Sequence, residues 1–187
     1  GYIGTELCLL YSGYSRFYDI KVIDNRFISE RVYQLRKWGI KFAQGDILDK
    51  NFIKREISDA DIIYHLAGIT DVAYVKNDNL NNEDEIIEIG IEGTKNIINY
   101  SKNDVKIIFP SSHVVYEGYE KPQTLIDENK EVKPVLTYSK VKYQSELDLE
   151  DSNKKYVVLR LASVHGYSTD TMRIGIMPNL FSKISSQ

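Results

Sequence analysis

Short apolar runs alternate with longer amphipathic stretches along most of the chain, and this alternation constrains the fold more than any other feature. Five runs rich in Ile, Val, Leu or Phe predict strands, at 19–24, 41–46, 60–68, 105–112 and 155–164. Helical patterns lie between them, at 28–39, around 50–57, at 83–101 and from Pro134 to about 150. Strands separated by helices predict βαβ units, so we expect an α/β fold with a doubly wound parallel sheet.

Composition restricts the class of partner. The chain has 187 residues, of which 27% are charged, and a net charge of −3. Because acidic and basic residues are mixed along the chain, neither nucleic acid nor an anionic membrane is expected as the main partner. Cys8 is the only cysteine, so no internal disulfide can form and we expect a cytoplasmic protein. The histidines His65, His113 and His165 are far apart, and we predict no metal site.

The residues that follow the predicted strands are the first candidates for a site, because ligands of open α/β sheets bind at the carboxyl ends of strands. These positions hold small or polar residues: Asp24, Asp46, Ala67, Gly68, Ser111, Ser112 and Ser163. Asp24 and the two serines Ser111 and Ser112 also suit simple turns, and Asp46 also suits a helix-capping loop.

The chain opens with GYIGTEL, in which Gly1 and Gly4 match the last two glycines of a G-x-x-G-x-x-G dinucleotide fingerprint. Such glycines let the backbone approach a pyrophosphate at a helix N-terminus. Asp24 follows Gly4 by 20 residues and ends the next strand, where an acid binds the adenosine ribose. A lone G-x-x-G also occurs in tight turns, so the prediction of a dinucleotide site depends on Asp24 as well. Since the strand and the glycine that should precede Gly1 are missing, we expect a fragment.

Two tyrosines stand four residues before a lysine: Tyr33 before Lys37, and Tyr138 before Lys142. This spacing places each pair on one face of a helix. A free tyrosine has a pKa of about 10, too high for a base at neutral pH. A lysine charge one turn away favours the phenolate and lowers that pKa. The spacing alone does not separate a catalytic pair from a chance pair.

Eight segments occur in the order and spacing of one known family: GYIG, VIDN, GDILD, YHLAG, GTKNII, FPSSHVVYEG, YSKVK and LRLASVHG. From Gly1 to about Phe181 the chain resembles the extended short-chain dehydrogenase/reductases, and among them the NAD-dependent nucleotide-sugar epimerases and dehydratases, the UDP-glucose 4-epimerase-like group. The resemblance implies a Rossmann-type, three-layer NAD-binding domain over residues 1–166, without its first strand. Residues 167–187 would begin a truncated substrate-binding domain.

The resemblance also assigns roles to individual positions. It implies that the catalytic residues are Ser112, Tyr138 and Lys142, with Tyr138 taking a proton from a sugar hydroxyl that Ser112 orients. It implies that NAD is bound by Gly1, Tyr2, Ile3, Gly4, Asp24, Asn25, Asp46, Ile47, Leu66, Ala67, Gly68, Tyr138 and Lys142. It implies that the substrate is bound by Ser112, His113 and Ser163. Tyr33 and Lys37 fall on a helix away from the strand ends, and we interpret them as the chance pair.

Three positions depart from the family pattern. Glu117 stands where a glycine usually follows Val-Tyr, Gly90 where an asparagine usually precedes x-x-Gly-Thr, and Ser163 where an asparagine usually follows Leu-Arg-x-x. In addition, the sugar 4,6-dehydratases carry an Asp-Glu pair directly after the serine. Here His113 and Val114 offer no carboxylate, which argues against a 4,6-dehydratase.

The function implied by the resemblance is epimerisation of a nucleotide sugar by transient, NAD-dependent oxidation at a hydroxyl carbon, by a homodimer of the complete protein. Two alternatives stay open: a nucleotide-sugar reductase or decarboxylase on the same scaffold, and a catalytically silent NAD-binding protein. We expect residues 1–187 alone to be inactive, because the first strand and most of the sugar-nucleotide domain would be missing.

Overall fold

The structure, a computed structural model, describes residues 1–70, 83–120, 125–168 and 177–185. The chain divides into two compact units: a first unit of residues 1–46 and 163–187, and a second unit of residues 47–162. Each unit contains a parallel sheet with flanking helices, so the predicted Rossmann-like α/β class is confirmed. The predicted domain boundary after residue 166 stays a prediction, and residues 169–176 and 186–187 of the second predicted domain lie outside the described part.

The secondary structure follows the predicted order of elements. In chain order it comprises α1 (Tyr2–Tyr11), β1 (Lys21–Asp24), α2 (Ser29–Lys37), β2 (Lys41–Gln44), α3 (Lys50–Ile57), β3 (Ile62–Tyr64), α4 (Glu83–Ile87), α5 (Gly93–Tyr100), β4 (Lys106–Ser112), α6 (Thr137–Glu150), β5 (Lys155–Leu161) and α7 (Met177–Ser185). A π-helical turn (Glu88–Glu92) joins α4 to α5, and 3₁₀ turns follow α1 (Ser12–Tyr14) and β4 (His113–Tyr116).

In the first unit, β1 and β2 pair in parallel, which places Asp24 opposite Gln44 at their carboxyl ends. The helix between them, α2, buries Val32 and Leu35. It is followed by Gly39, whose φ of 71° lies in the left-handed region that favours glycine. Strand β1, helix α2 and strand β2 therefore form a βαβ unit of the kind that the sequence pattern predicts.

In the second unit, β4 lies between β3 and β5, and all three strands are parallel. The β3 pairing reaches only as far as Ile108, so Pro110 lies beyond the end of β3 on that side. A proline is tolerated there because its missing N–H is not needed by the β3 ladder. Alternate residues of β4, among them Ile107 and Phe109, are buried and form the centre of this unit's core.

The predicted helix over 83–101 is one helical run interrupted by a π-turn. Its Gly90 lies against α6 so closely that a Cβ at this position would come 2.1 Å from Val141 Cγ1. Glycine therefore permits a close approach of the two helices that a larger side chain would prevent.

The predicted start of α6 at Pro134 is wrong: the helix begins at Thr137. Leu136 has extended backbone angles, φ −74° and ψ 155°. The backbone N–H groups of Val135 and Leu136 donate to the Glu117 carboxylate. A side chain distant in sequence thus satisfies amides that would otherwise need the preceding turn of a helix.

Within the described residues, no helix combines the length and the apolar character needed to cross a membrane.

Candidate active site

Helix α6 carries Tyr138 in its first turn and Lys142 one turn later. The Lys142 ammonium lies 5.8 Å from the centre of the Tyr138 ring and 4.5 Å from the centre of the Phe109 ring. It donates a hydrogen bond of 2.8 Å to the carbonyl oxygen of Pro110. The lysine charge is therefore held between α6 and the carboxyl-terminal part of β4, two residues before Ser112.

Burial changes the acid–base behaviour of this lysine. It lowers the pKa of Lys142 to about 8, and the negative charge of Glu146 partly opposes that effect. A lysine with this pKa is mostly protonated at neutral pH but close enough to titration to exchange a proton. The site therefore combines a phenol with a cation whose charge depends on pH.

The other tyrosine–lysine pair has a similar contact but a different environment. Lys37 Nζ lies 4.6 Å from the centre of the Tyr33 ring, which is closer than in the first pair. However, the Tyr33 side chain is 61% exposed on α2. Water screens a charge in such a position, so the contact has little influence on the phenol.

Several predicted residues of the second unit meet around one small pocket. Its lining includes Ala67 and Gly68 after β3, Tyr138 and Lys142 on α6, and Phe109 on β4. The loop after β3 and helix α6 therefore line the same pocket.

Ser112 and His113 follow one another at the end of β4. Ser112 is half-buried, and its Oγ accepts a hydrogen bond of 3.4 Å from the Val114 N–H. His113 is exposed, and its Nδ1 lies 3.1 Å from the Leu161 carbonyl oxygen. Because a carbonyl oxygen only accepts, Nδ1 carries the hydrogen in this contact.

An ion pair with a buried carboxylate lies beside Lys142, and the sequence analysis did not predict it. The Glu146 carboxylate, with a side chain 7% exposed, binds Arg160 with an Nη2–Oε2 distance of 2.6 Å. It also accepts a hydrogen bond from Ser111 Oγ, so the two serines at the end of β4 have different environments. The Glu146 hydrogen bonds raise the pKa of Arg160. The sequence contained one indication of the Glu146 position: its i,i+4 spacing from Lys142 places both side chains on one face of α6.

A second polar cluster, with buried His65 and Thr94, lies in the wall of the same pocket. His65 Nε2 is 2.9 Å from Thr94 Oγ1, which donates to the Gly90 carbonyl oxygen at 2.6 Å. Since the one hydroxyl proton of Thr94 is used there, His65 Nε2 carries the hydrogen between these two side chains. Burial, followed by the nearby Lys142 charge, lowers the pKa of His65 to about 3. His65 is therefore neutral at physiological pH.

Ile47 and Leu66, predicted to contact the cofactor, are also in the second unit. The Ile47 carbonyl oxygen accepts a hydrogen bond of 2.9 Å from the buried Asn96, which sequence reasoning missed. A Cβ at Gly93 would come 3.0 Å from Ile47 Cγ2, so α5 packs closely on this residue. Leu66 is 36% exposed.

The remaining predicted cofactor residues belong to the first unit, which is described by itself. Gly1, Tyr2, Ile3 and Gly4 form the start of α1, whose N-cap is Gly1. Asp24 ends β1 and accepts a hydrogen bond of 2.9 Å from the Arg26 N–H.

Three other predicted residues of the first unit, Asn25, Asp46 and Ser163, are exposed. Asn25 follows Asp24, and its carbonyl oxygen accepts a hydrogen bond of 3.2 Å from Gln44 Nε2. The carbonyl oxygen of Ser163 lies 2.9 Å from His165 Nδ1.

In the described part of the chain, no three or more His, Cys, Asp or Glu side chains gather in a way that could hold a metal ion.

Comparisons with known proteins identify relatives of this chain. A sequence profile of the 3-beta hydroxysteroid dehydrogenase/isomerase family matches residues 1–169. The UDP-glucose 4-epimerase of Mycoplasma genitalium is 27% identical over 179 residues, covering 89% of this chain and 51% of that protein. The UDP-N-acetyl-alpha-D-glucosaminuronate decarboxylase of Bacillus cytotoxicus is 30% identical over 118 residues, covering 62% of this chain and 35% of that protein.

Solved structures show the same fold. The UDP-glucuronic acid 4-epimerase from Bacillus cereus, in complex with UDP-glucuronic acid and NAD, has a TM-score of 0.77 and 21% identity, with coverage of 100% of this chain and 60% of that one. This chain therefore spans about half the length of the curated epimerase and three fifths of the solved one.

The match to the family profile extends over nearly the whole sequence, including both the opening glycines and the α6 tyrosine–lysine pair. The chain belongs to the 3-beta hydroxysteroid dehydrogenase/isomerase family, within the extended short-chain dehydrogenase/reductases.

Proposed function

We propose that the complete protein containing this chain is an NAD-dependent nucleotide-sugar epimerase. The observation that carries the proposal is the Lys142 ammonium held between Tyr138 and the end of β4, in a chain 27% identical to a UDP-glucose 4-epimerase over 89% of its length. We further propose that it acts in the cytoplasm as a homodimer.

The residues present suit NAD. The N-terminus of α1 offers backbone N–H groups, and a Cβ at Gly1 would meet nothing within 4 Å, so the backbone is open to close approach. Asp24 places an acceptor at the end of β1. Gly1, Gly4 and Asp24 would hold the pyrophosphate and the ribose, and Ala67 and Gly68 would line the nicotinamide side. When bound, NAD would supply a reversible acceptor for the hydride of the sugar carbon.

In this proposal the chain's own residues move and hold protons. Tyr138 takes the proton of the sugar hydroxyl and returns it after the keto sugar has presented its other face. Lys142 favours the phenolate of Tyr138 by its charge. Ser112 donates a hydrogen bond to the reacting oxygen, while His113 and Ser163 contact other parts of the substrate.

A decarboxylase is the second candidate, because one relative at 30% identity has that activity. Both reactions begin with the same oxidation, and they differ in whether a carboxylate is lost afterwards. A reductase would instead consume reduced cofactor, and a silent protein would bind NAD without turnover.

One assay separates these four functions. The complete protein is incubated with NAD and with a panel of UDP-, GDP- and dTDP-sugars that includes uronic acids. An epimerase yields an isomer of equal mass with no net change in NADH absorbance, whereas a decarboxylase releases CO₂. Net NADH oxidation when reduced cofactor is supplied identifies a reductase. NAD binding without any product supports the silent alternative and contradicts the proposal.

A further inference from the structure

Glu117 connects the turn after Ser112 to the helix that carries Tyr138. Its Oε1 accepts hydrogen bonds from the Leu136 N–H at 2.7 Å and from the Val135 N–H at 3.0 Å. It also accepts one from Ser139 Oγ, a side chain that is fully buried. These donors lie on both sides of Tyr138 in the sequence.

The backbones of the two segments are joined as well. The Lys133 N–H donates to the Val115 carbonyl oxygen at 2.8 Å, and the Gly118 N–H donates to the Lys133 carbonyl oxygen at 2.8 Å. A Cβ at Gly118 would come 2.5 Å from that same oxygen. The 3₁₀ turn after β4 and the segment before α6 therefore lie in direct contact, and the Glu117 carboxylate completes the connection.

A negative charge suits this position. The first N–H groups of a helix have no partner within the helix, and the helix dipole favours an anion there. Burial alone would raise the pKa of Glu117, but the hydrogen bonds from Ser139, Leu136 and Val135 outweigh it, so the pKa is lowered. Glu117 is thus ionised at neutral pH.

We propose that Glu117 is a positioning residue for Tyr138: its carboxylate locks the first turn of α6 onto the turn that follows Ser112, which fixes the two hydroxyl groups relative to each other. The inference rests on the proposed function for the catalytic role of Tyr138. The proposal also explains why a glutamate at the position where the family usually has glycine would matter, because a glycine has no side chain to accept these three hydrogen bonds.

Two substitutions of Glu117 separate the effect of its hydrogen bonds from the effect of its negative charge. A third substitution, at another residue, controls for a general loss of stability. Glu117→Ala removes the acceptor, whereas Glu117→Gln keeps an oxygen that accepts the same bonds without the charge. Lys154→Ala is the control, because Lys154 bonds the carbonyl oxygens of Ser101 and Lys102 at the amino end of β5, the opposite end of the sheet from Ser112.

In the complete protein, we expect Glu117→Ala to lower kcat about 10- to 100-fold, the scale expected for a displacement of about 1 Å at a reacting group. The KM values for NAD and sugar nucleotide should change less than about threefold. Glu117→Gln should keep kcat within about threefold of the wild type. Lys154→Ala should lower Tm without changing kcat.

An equal loss of kcat in Glu117→Ala and Lys154→Ala at equal loss of Tm would overturn the inference, and so would a Glu117→Gln variant as slow as Glu117→Ala. If the wild type turns over no sugar nucleotide, the proposed function fails, and hydrogen exchange then tests Glu117 separately. Faster amide exchange at 135–139 in Glu117→Ala, but not in Glu117→Gln or Lys154→Ala, supports the lock. Unchanged exchange in Glu117→Ala contradicts it.

Discussion

Lys142 holds its ammonium 5.8 Å from the centre of the Tyr138 ring while it donates a 2.8 Å hydrogen bond to Pro110. This hydrogen bond holds the Lys142 ammonium at a fixed position relative to β4. The positive charge therefore stays at a fixed distance from the Tyr138 phenol. Lys37 lies closer to its own tyrosine, at 4.6 Å, but on an exposed helix face. Burial and anchoring, and not distance alone, distinguish the two pairs, because water weakens the exposed interaction.

The first prediction concerns the two tyrosines. Tyr138→Phe removes the proton-transfer oxygen and little volume, so turnover by the complete protein should fall by at least about 100-fold, within the range for a lost general base. NAD affinity, measured by titration, should change little. Tyr33→Phe is the matched control and should keep full activity. Equal activities of the two variants would contradict the assignment.

The second prediction concerns pH and Lys142. Its pKa of about 8 implies that kcat/KM decreases above pH 8, as the charge that supports Tyr138 is lost. Stability should change in the opposite direction. Between pH 8 and about 10.4, Lys142 is protonated in the unfolded chain but largely deprotonated in the folded protein, so the free energy of unfolding increases as the pH rises. Lys142→Met should remove both dependences, and Lys37→Met should remove neither. Rate profiles and thermal unfolding from pH 6 to 10 test this.

The third prediction concerns the Glu146–Arg160 pair. Arg160→Met leaves the buried Glu146 carboxylate without its partner, so this variant should lower the free energy of unfolding by about 3–5 kcal/mol. Glu146→Gln leaves the Arg160 guanidinium, whose side chain is 20% exposed to water, and should lower the free energy of unfolding by less. The double variant Glu146→Met/Arg160→Met should be more stable than either single variant, as measured by denaturant unfolding. Since Glu146 raises the pKa of Lys142, Glu146→Gln should also move the alkaline decrease in kcat/KM to lower pH. An unchanged alkaline limb would show that Glu146 does not act on Lys142.

The fourth prediction concerns the choice of cofactor. Asp24 at the end of β1 would repel a 2′-phosphate, so NAD should bind more tightly than NADP. Asp24→Asn should reduce the difference, and Arg26→Ala should increase it, because Arg26 Nε lies 3.8 Å from Asp24 Oδ1 and partly offsets its charge. Titration of both cofactors against the three proteins tests this, and tighter binding of NADP to the wild type would refute it.

The fifth prediction concerns stability in acid. Buried His65 has a pKa of about 3 in the folded protein, against about 6.5 unfolded. The unfolded chain therefore binds more protons between these values, and the stability present above pH 6.5 is lost as pH falls towards 3, by at most about 1.4 kcal/mol per pH unit. His65→Gln keeps a donor for Thr94 and should flatten this dependence in urea unfolding between pH 4 and 7. An identical slope in both proteins would exclude His65 as its source.

Periodicity located the elements but not their ends. All five strands and the helices between them occur near their predicted places, because apolar spacing reports which residues can share a buried face. The start of α6 was predicted three residues early, since Pro134 suits a first helical turn as well as an extended segment. The Glu117 carboxylate, 18 residues before Val135 in the sequence, binds the Val135 N–H and holds this segment extended. No local sequence pattern contains that information.

The sequence by itself determined the α/β class, the strand ends that carry polar residues, and the two tyrosine–lysine pairs. Only the tertiary structure decided which lysine is buried, that Glu146 balances Arg160 beside it, and that Glu117 bonds the first turn of α6. The physical reason is that burial and hydrogen-bond partners depend on contacts between residues far apart in the chain. Those contacts set the pKa of Lys142 and bond Glu117 to residues on either side of Tyr138, whereas the spacing of residues sets only the face on which they lie.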